Sequence, residues 1–290
     1  MLVDILNSKV QLRDYYCSLD NLPPSKVEAP YINLYIQLNG CNADCGFCEY
    51  KTNGIKFNFD KFRNYLSKMV TQLEIRKISI TGGEPTLNLD VLYKIIDIIK
   101  EISPDSFLVM NTNGFQLENL EIDDKIRIFD SISVSRHHYD HEINNEIFRT
   151  DTISNESLKR MSIDNPGVFH ISCNVIKGYI DTPEEMEKYL EFCGEIEIRD
   201  VGFVGLMGIN QYSKERMIDL TVDDLSSDRL NVIKEWKFND VCKCNNYIYI
   251  LRDISTLKLY HRHVLKPTSS ETFVFDGETL RKGFNGIEIK

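Results

Sequence analysis

Six short β-prone runs recur along the first 206 residues: 31–38 (YINLYIQL), 76–81 (RKISIT), 106–111 (SFLVMN), 130–135 (DSISVS), 168–176 (VFHISCNVI) and 200–206 (DVGFVGL). Helix-like segments separate them at 59–74, 88–102, 115–125, 142–161 and 183–194. In 88–102, Leu92, Ile95, Ile96 and Ile99 fall at helical spacing. Strands that alternate with helices pair in parallel, because each crossover returns the chain to the same end of the sheet. The pattern is α/β, with a choice between a partial (β/α)6 TIM-type barrel and a doubly wound sheet.

Alternation inside the strands decides between them. Ile32, Leu34, Ile36 and Leu38 share one face of the first run, while Asn33, Tyr35 and Gln37 share the other. Ile132 and Val134 oppose Ser131, Ser133 and Ser135, and Ile171 and Val175 oppose His170, Ser172 and Asn174. A parallel sheet covered by helices on both faces would read as continuous apolar runs. A polar face on three strands predicts a partial barrel with a polar lumen.

These boundaries divide the chain into a lead-in segment (1–30), a core (31–215) and a β-rich extension (216–290) that caps the barrel. In the extension, 216–240 reads as acidic and irregular. "NYIYILRDISTLKLYHRH" and "TFVFDGETLRKGF" read as hairpins, the second turning at Asp276-Gly277. With Arg252 and Leu257 closing the first turn, Asn246 would face His263.

The 290 residues carry a net charge of −10, which argues against extended nucleic-acid or anionic-membrane binding. The start lacks the layout of a secretory signal, and no apolar run approaches the ~20 residues of a membrane span. A cytoplasmic location follows. There, the tight spacing of three of the eight cysteines reads as metal binding rather than a disulfide framework.

Those three stand in "CNADCGFC": Cys41, Cys45 and Cys48. A structural tetrahedral site takes four protein ligands, whereas a catalytic site keeps one position open. Three thiolates on a [4Fe–4S] cube leave one iron open. The alternatives are an electron-transfer cluster or a structural zinc site completed by Cys17, Cys242 or Cys244. One βα unit later comes "TGGEP", in which Gly82 and Gly83 allow close approach to the backbone and Glu84 offers a carboxylate.

Together, "CNADCGFC" and "TGGEP" resemble the radical S-adenosylmethionine enzymes over about residues 31–210. The resemblance implies a partial (β/α)6 barrel, a [4Fe–4S] cluster on the three cysteines and S-adenosylmethionine on the open iron. Phe47 matches the aromatic residue beside the adenine, and Gly82, Gly83 and Glu84 match the segment that binds the methionyl amine. Ser135 matches a carboxylate- or ribose-contacting position. Asn174 and Gly178 match the ribose–adenine segment of the fifth strand, and Met207 ends the sixth, adenine-contacting strand. Asn113, at the end of the third strand, joins them at the face that carries the active site in α/β barrels.

The subgroup resembled contains the molybdopterin-precursor synthase and peptide-modifying enzymes. A small anionic molecule or nucleotide is therefore the expected substrate, a ribosomally made peptide the alternative, and flavodoxin or ferredoxin the electron donor. "SRHHYDH" (135–141) supplies candidate substrate-side groups: Arg136 to grip an anion, and His137 or His138 to donate a proton. Relatives often carry auxiliary clusters on C-terminal cysteines. Here only Cys242 and Cys244 remain, with His261 and His263 as further ligands for a second metal.

Overall fold

The computed structural model describes residues 2–12, 15–16, 25–26, 31–49, 54–218, 230–237, 245–251, 254–261, 272–284 and 286–289. The six expected strands are present: β1 (Tyr31–Leu38), β2 (Glu74–Gly82), β3 (Phe107–Thr112), β4 (Ser131–Ser135), β5 (Phe169–Val175) and β6 (Val201–Gly205). They pair in parallel in the order β1-β2-β3-β4-β5-β6. A doubly wound sheet reverses its strand order at a switch point. This order never reverses, so the sheet curls one way as a partial barrel.

Burial follows the pleat. Ile32, Leu34, Ile36 and Leu38 are at most 1% exposed, while Asn33, Tyr35 and Gln37 are half-buried on the other face. In β5, Phe169, Ile171, Cys173 and Val175 are buried toward the helices, and His170, Ser172 and Asn174 face the lumen. The register sets Ser133 beside His170 and Ser135 beside Ser172, which makes the polar face continuous across strands. Each fully buried aliphatic chain on the other face contributes roughly 1.5–3 kcal/mol. A one-residue slip would exchange the two faces.

Helices α1 (Phe59–Val70), α2 (Leu89–Ile102) and α3 (Leu117–Ile122) follow β1 to β3. Asn58 and Asn88 start the first two, their side-chain oxygens accepting the Lys61 and Val91 N–H groups at 3.0 and 3.1 Å. The single helix expected over 142–161 is two: α4 (His141–Phe148) and α5 (Asn155–Asp164). Arg149 turns left-handed (φ 56°) to end α4, and the Ser154 hydroxyl caps α5 by accepting the Ser157 N–H at 3.0 Å. After α6 (Pro183–Glu195) comes an unanticipated short helix, α7 (Gln211–Arg216).

The extension lengthens the sheet at both edges. Strands β7 (Leu230–Lys237), β8 (Asn245–Leu251) and β9 (Ile254–His261) form an antiparallel meander whose last member runs parallel beside β6. Strands β10 (Thr272–Phe275), β11 (Leu280–Lys282) and β12 (Glu288–Ile289) form another, with β10 parallel beside β1. β7 replaces part of the segment expected to be irregular. The first hairpin is tighter than expected: Leu251 pairs with Ile254, so Asn246 faces Tyr260 rather than His263. The second turns at Asp276-Gly277 as expected, the Asp276 carboxylate accepting the Thr279 N–H at 2.8 Å. Cys17, Cys242, Cys244 and His263 lie outside the described residues, as does the side chain of His261, and with them the second-metal expectation. Two small hairpins precede the core (Leu2–Ile5 with Ser8–Gln11, Tyr15–Tyr16 with Ser25–Lys26). Among the described residues no helix is long and apolar enough to cross a membrane.

Candidate active site

The loop after β1 carries Cys41, Cys45 and Cys48, all half-buried and none in a disulfide. Its shape is imposed from three sides. The Asp44 N–H donates to the Phe148 carbonyl at the end of α4 (3.1 Å), and the Asp44 carboxylate pairs with Arg149 (3.1 Å). Asn113 Nδ2 donates to Asn42 Oδ1 (2.9 Å), and Asn210 Nδ2 donates to the Gly46 carbonyl (3.1 Å). Burial pushes the Cys41 thiol up, and burial together with the other two thiols pushes Cys45 up to about 12.

The "TGGE" segment is docked directly on this loop. The Gly83 N–H donates to the Leu38 carbonyl (2.5 Å) and the Glu84 N–H to the Gly40 carbonyl (2.7 Å). A Cβ on Gly83 would lie 1.9 Å from the Gly40 oxygen, and one on Gly82 (φ +110°) 2.3 Å from the Leu38 oxygen. The close approach that these glycines permit is therefore by the chain's own backbone. Glu84 also differs from the expectation of a carboxylate open to a ligand. It is fully buried; Oε1 accepts from the Thr86 N–H, Thr86 hydroxyl and Thr112 hydroxyl (2.9, 2.7 and 2.6 Å), and Oε2 from the Asn113 N–H (2.7 Å). Burial raises its pKa against the pull of those four donors. Its side chain ties the end of β2 to the end of β3.

"SRHHYDH" is built into the walls. Arg136 is 1% exposed; Nη1 donates to the Ile153 carbonyl (3.0 Å), the guanidinium carbon lies 5.4 Å from the Phe192 ring, and Nε and Nη2 have no partner. The expected substrate-side role of Arg136 is corrected: it continues the Ile132–Val134 face of β4, which points at the helices. His137 continues the opposite face. Its Nδ1 accepts the Asn174 N–H (3.0 Å), and its ring stacks on Phe148 (4.7 Å, 10°) and meets Phe47 edge-on (5.3 Å). Burial lowers its pKa to about 3, so it is a neutral imidazole protonated at Nε2 and not a reserve of acid near neutrality. His138 Nδ1 accepts the Asp140 N–H (3.0 Å), and burial lowers its pKa as well.

Ser135 and Asn174 are half-buried on the lumen face, Asn113 is buried at 6%, and Met207 is exposed just beyond β6. Phe47 packs against Ile147, Ile176 and Leu206, a small apolar shelf above the sheet. Sequence reasoning missed Thr86, Thr112, Asn144 and Asn210. Only Asn210 had a readable signal, an Asn-x-x-Ser cap pattern.

The donor set fits an iron–sulfur cluster. Three thiols stand on one loop whose backbone is held by other groups, and the Asn42 amide nitrogen beside them is buried without a partner. Among the described residues, no three His, Cys, Asp or Glu side chains are close enough together to hold a single metal ion.

A partial (β/α)6 barrel with a three-cysteine loop at its C-terminal mouth defines an enzyme scaffold for cofactor-driven chemistry. The chain belongs to the radical SAM superfamily, whose sequence profile matches residues 35–221. Members of that superfamily use a [4Fe–4S] cluster and S-adenosylmethionine. Among curated relatives, a probable GTP 3',8-cyclase of Saccharolobus islandicus is 25% identical over 199 residues, 67% of this chain and 64% of the relative. A probable GTP 3',8-cyclase of Thermoplasma volcanium is 34% identical over 118 residues, 39% of this chain and 35% of the relative. The chain thus spans less than two thirds of the length of these relatives. Among solved structures, Streptococcus suis SuiB superposes over 90% of this chain and 63% of its own (TM-score 0.58, 14% identity). A polyhistidine-tagged anSMEcpe with bound AdoMet superposes over 63% of this chain and 55% of its own (TM-score 0.51, 18% identity). These likenesses are of fold.

Proposed function

We propose that Cys41, Cys45 and Cys48 hold the [4Fe–4S] cluster, and that the enzyme abstracts hydrogen from a small anionic molecule, with a purine nucleotide as the leading candidate. A cluster held there would supply the single electron for reductive cleavage of S-adenosylmethionine, the chemistry that makes hydrogen abstraction from an unreactive C–H bond available. The observation that carries the reading is the interlock of the cysteine loop with Gly82–Glu84, which presents three thiols at the barrel mouth from a fixed backbone. The nucleotide preference is supported by the relatives named probable GTP 3',8-cyclase.

The chain's own residues divide the remaining work. Gly82 and Gly83 let their backbone lie directly against the loop, beside which a methionyl amine would be met. Phe47, backed by the neutral His137 and by Ile147, offers an apolar edge to an adenine. Ser135 and Asn174 present uncharged polar groups to a ribose, Asn113 fixes the loop through Asn42, and Met207 edges the site from β6.

Anaerobic reconstitution with iron, sulfide and reductant, followed by S-adenosylmethionine with GTP or other nucleotides, tests this by chromatographic assay of 5′-deoxyadenosine. Cluster absorbance without 5′-deoxyadenosine under any of these conditions sinks the catalytic reading. A Cys45→Ala chain that still loads a cluster sinks the ligand assignment. Formation of 5′-deoxyadenosine that no nucleotide stimulates removes the nucleotide preference alone.

A further inference from the structure

Helix α7 is short, yet its ends fasten two separate loops of the mouth. It begins at Asn210, whose side chain works in two directions. Oδ1 accepts the Ser213 N–H at 2.8 Å and caps the helix, while Nδ2 donates to the Gly46 carbonyl at 3.1 Å. Ser213 Oγ in turn accepts the Asn210 N–H at 3.0 Å, completing a capping box. Two residues on, the Tyr212 ring lies flush on Gly46, where a Cβ would come within 2.8 Å of it.

The other end of α7 is held just as firmly. Arg216 Nη1 donates to the Lys177 carbonyl (3.0 Å), and the Arg216 carbonyl accepts the Lys177 N–H (2.9 Å). Its guanidinium carbon lies 5.4 Å from the Tyr212 ring and 6.0 Å from the Tyr179 ring. The helix therefore spans from the cysteine loop after β1 to the turn after β5.

We propose that α7 is a clamp on the cysteine loop and that Asn210 and Tyr212 are positioning residues for the iron site. The proposal rests on the reading that Cys41, Cys45 and Cys48 carry the cluster. Gly46 lies between the second and third cysteines. A peptide group is planar and trans, so fixing the Gly46 carbonyl toward Asn210 points the Phe47 N–H away from α7. One hydrogen bond thus sets the orientation of a dipole beside two ligand sulfurs and the path of the chain into Phe47. Hydrogen bonds and dipoles around the sulfurs set the potential and stability of such clusters.

The two jobs of Asn210 can be separated. Asn210→Asp keeps a good cap oxygen but removes the donor and sets a carboxylate against the Gly46 carbonyl. Ser213→Ala weakens the cap and leaves Asn210 on Gly46. The measurements, on the full chain reconstituted anaerobically, are the rate of iron loss to a chelator and the EPR spectrum of the reduced cluster with and without S-adenosylmethionine. Thermal unfolding of the cluster-free chain reports on the cap. Asn210→Asp is expected to lose iron about tenfold faster or more, with altered EPR and near-unchanged unfolding. Ser213→Ala is expected to lower the unfolding temperature while leaving iron loss and EPR as in the parent.

Parental iron loss and EPR in Asn210→Asp overturns the proposal, as does a Ser213→Ala chain that reproduces the changes in the Asp variant. If the Asp variant does not fold, Asn210→Ser carries the same test, since it also keeps a cap oxygen without the amide. Cys45→Ala run in parallel separates the two levels. Cluster retained there refutes the ligand reading, whereas cluster lost there with a parental Asn210→Asp refutes only the clamp.

Discussion

Replacing Gly83 by Ala probes the contact on which the mouth depends. The backbone at Gly83 is not left-handed, so the substitution brings no intrinsic strain; its whole effect is steric, a Cβ 1.9 Å from the Gly40 oxygen and 2.5 Å from the Gly40 carbonyl carbon. Ordinary contact begins near 3.4 Å, so the two backbones must part by more than an ångström. That breaks the Gly83–Leu38 and Glu84–Gly40 hydrogen bonds. Two backbone bonds contribute about 0.5–1.5 kcal/mol each, and overpacking adds about 1–3 kcal/mol. Reduced freedom of the unfolded chain returns about 0.4–1 kcal/mol. The net loss is about 3 kcal/mol, or a fall of roughly 5 °C in the unfolding temperature for a chain of this size. Gly167 is the control: its φ is +80° with nothing within 4 Å of a Cβ, so Gly167→Ala carries only the left-handed cost of about 1 kcal/mol. Thermal unfolding of both cluster-free variants, with iron content after reconstitution, decides the matter. A Gly83→Ala chain as stable as Gly167→Ala, with a full iron load, would refute the interlock.

Glu84→Gln must set an amide NH2 against at least one of the four donors, and is expected to destabilise by about 1–3 kcal/mol in denaturant titrations. Arg136→Met removes a buried guanidinium that has no carboxylate partner; unfolding should show a stability unchanged or slightly raised, and the KM for any anionic substrate should not move. His137 has a folded pKa of about 3 against about 6.5 when unfolded, so its contribution is fully present above pH 6.5 and is lost as pH falls toward 3. Unfolding of the cluster-free chain should therefore weaken by up to ~1.4 kcal/mol per pH unit across that window. His137→Phe should flatten that part of the slope, and 15N spectra of the His137 ring should show no titration between pH 5 and 8.

Much of this was legible in the chain. The β1 and β5 alternation foretold a polar lumen because parallel strands with one wet face leave few other architectures. "CNADCGFC" and "TGGEP" were readable because each is contiguous and the two belong to adjacent strands. Arg136 was misplaced although the alternation of β4 already located it: counting on from Ile132 and Val134 puts it behind the sheet, where burial with one carbonyl partner replaces a role at the mouth. The break between α4 and α5 was hidden because Asn144, Asn145 and Thr152 are tolerable in a helix, and it is their mutual hydrogen bonds that stabilise the loop. The placing of β9 beside β6 and β10 beside β1 could not be read, since both edges of the sheet offered the same unpaired backbone.

The polar atoms of the mouth show a division of labour that neither motif reveals alone. Four of the bonds that anchor the cysteine loop to the rest of the barrel come from its backbone or from a side chain other than cysteine: Asp44 to α4, Asn42 to Asn113, Gly46 to Asn210, Gly40 to Glu84. Cys41 Sγ accepts the neighbouring Ala43 N–H, within the loop itself. Burial raises the pKa of Cys41 and Cys45, and the neighbouring thiols add to it, with the buried Glu84 carboxylate adding further at Cys41. Three thiolates there would repel one another and Glu84 unless positive charge stood among them. An iron core held by them, as proposed, would supply that charge, since metal ligation reverses the local pKa logic. Glu84, with its four acceptor bonds committed to Thr86, Thr112 and Asn113, ties the ends of β2 and β3 together beside those sulfurs with no ligand present, which is the preorganisation the proposed cluster site would need.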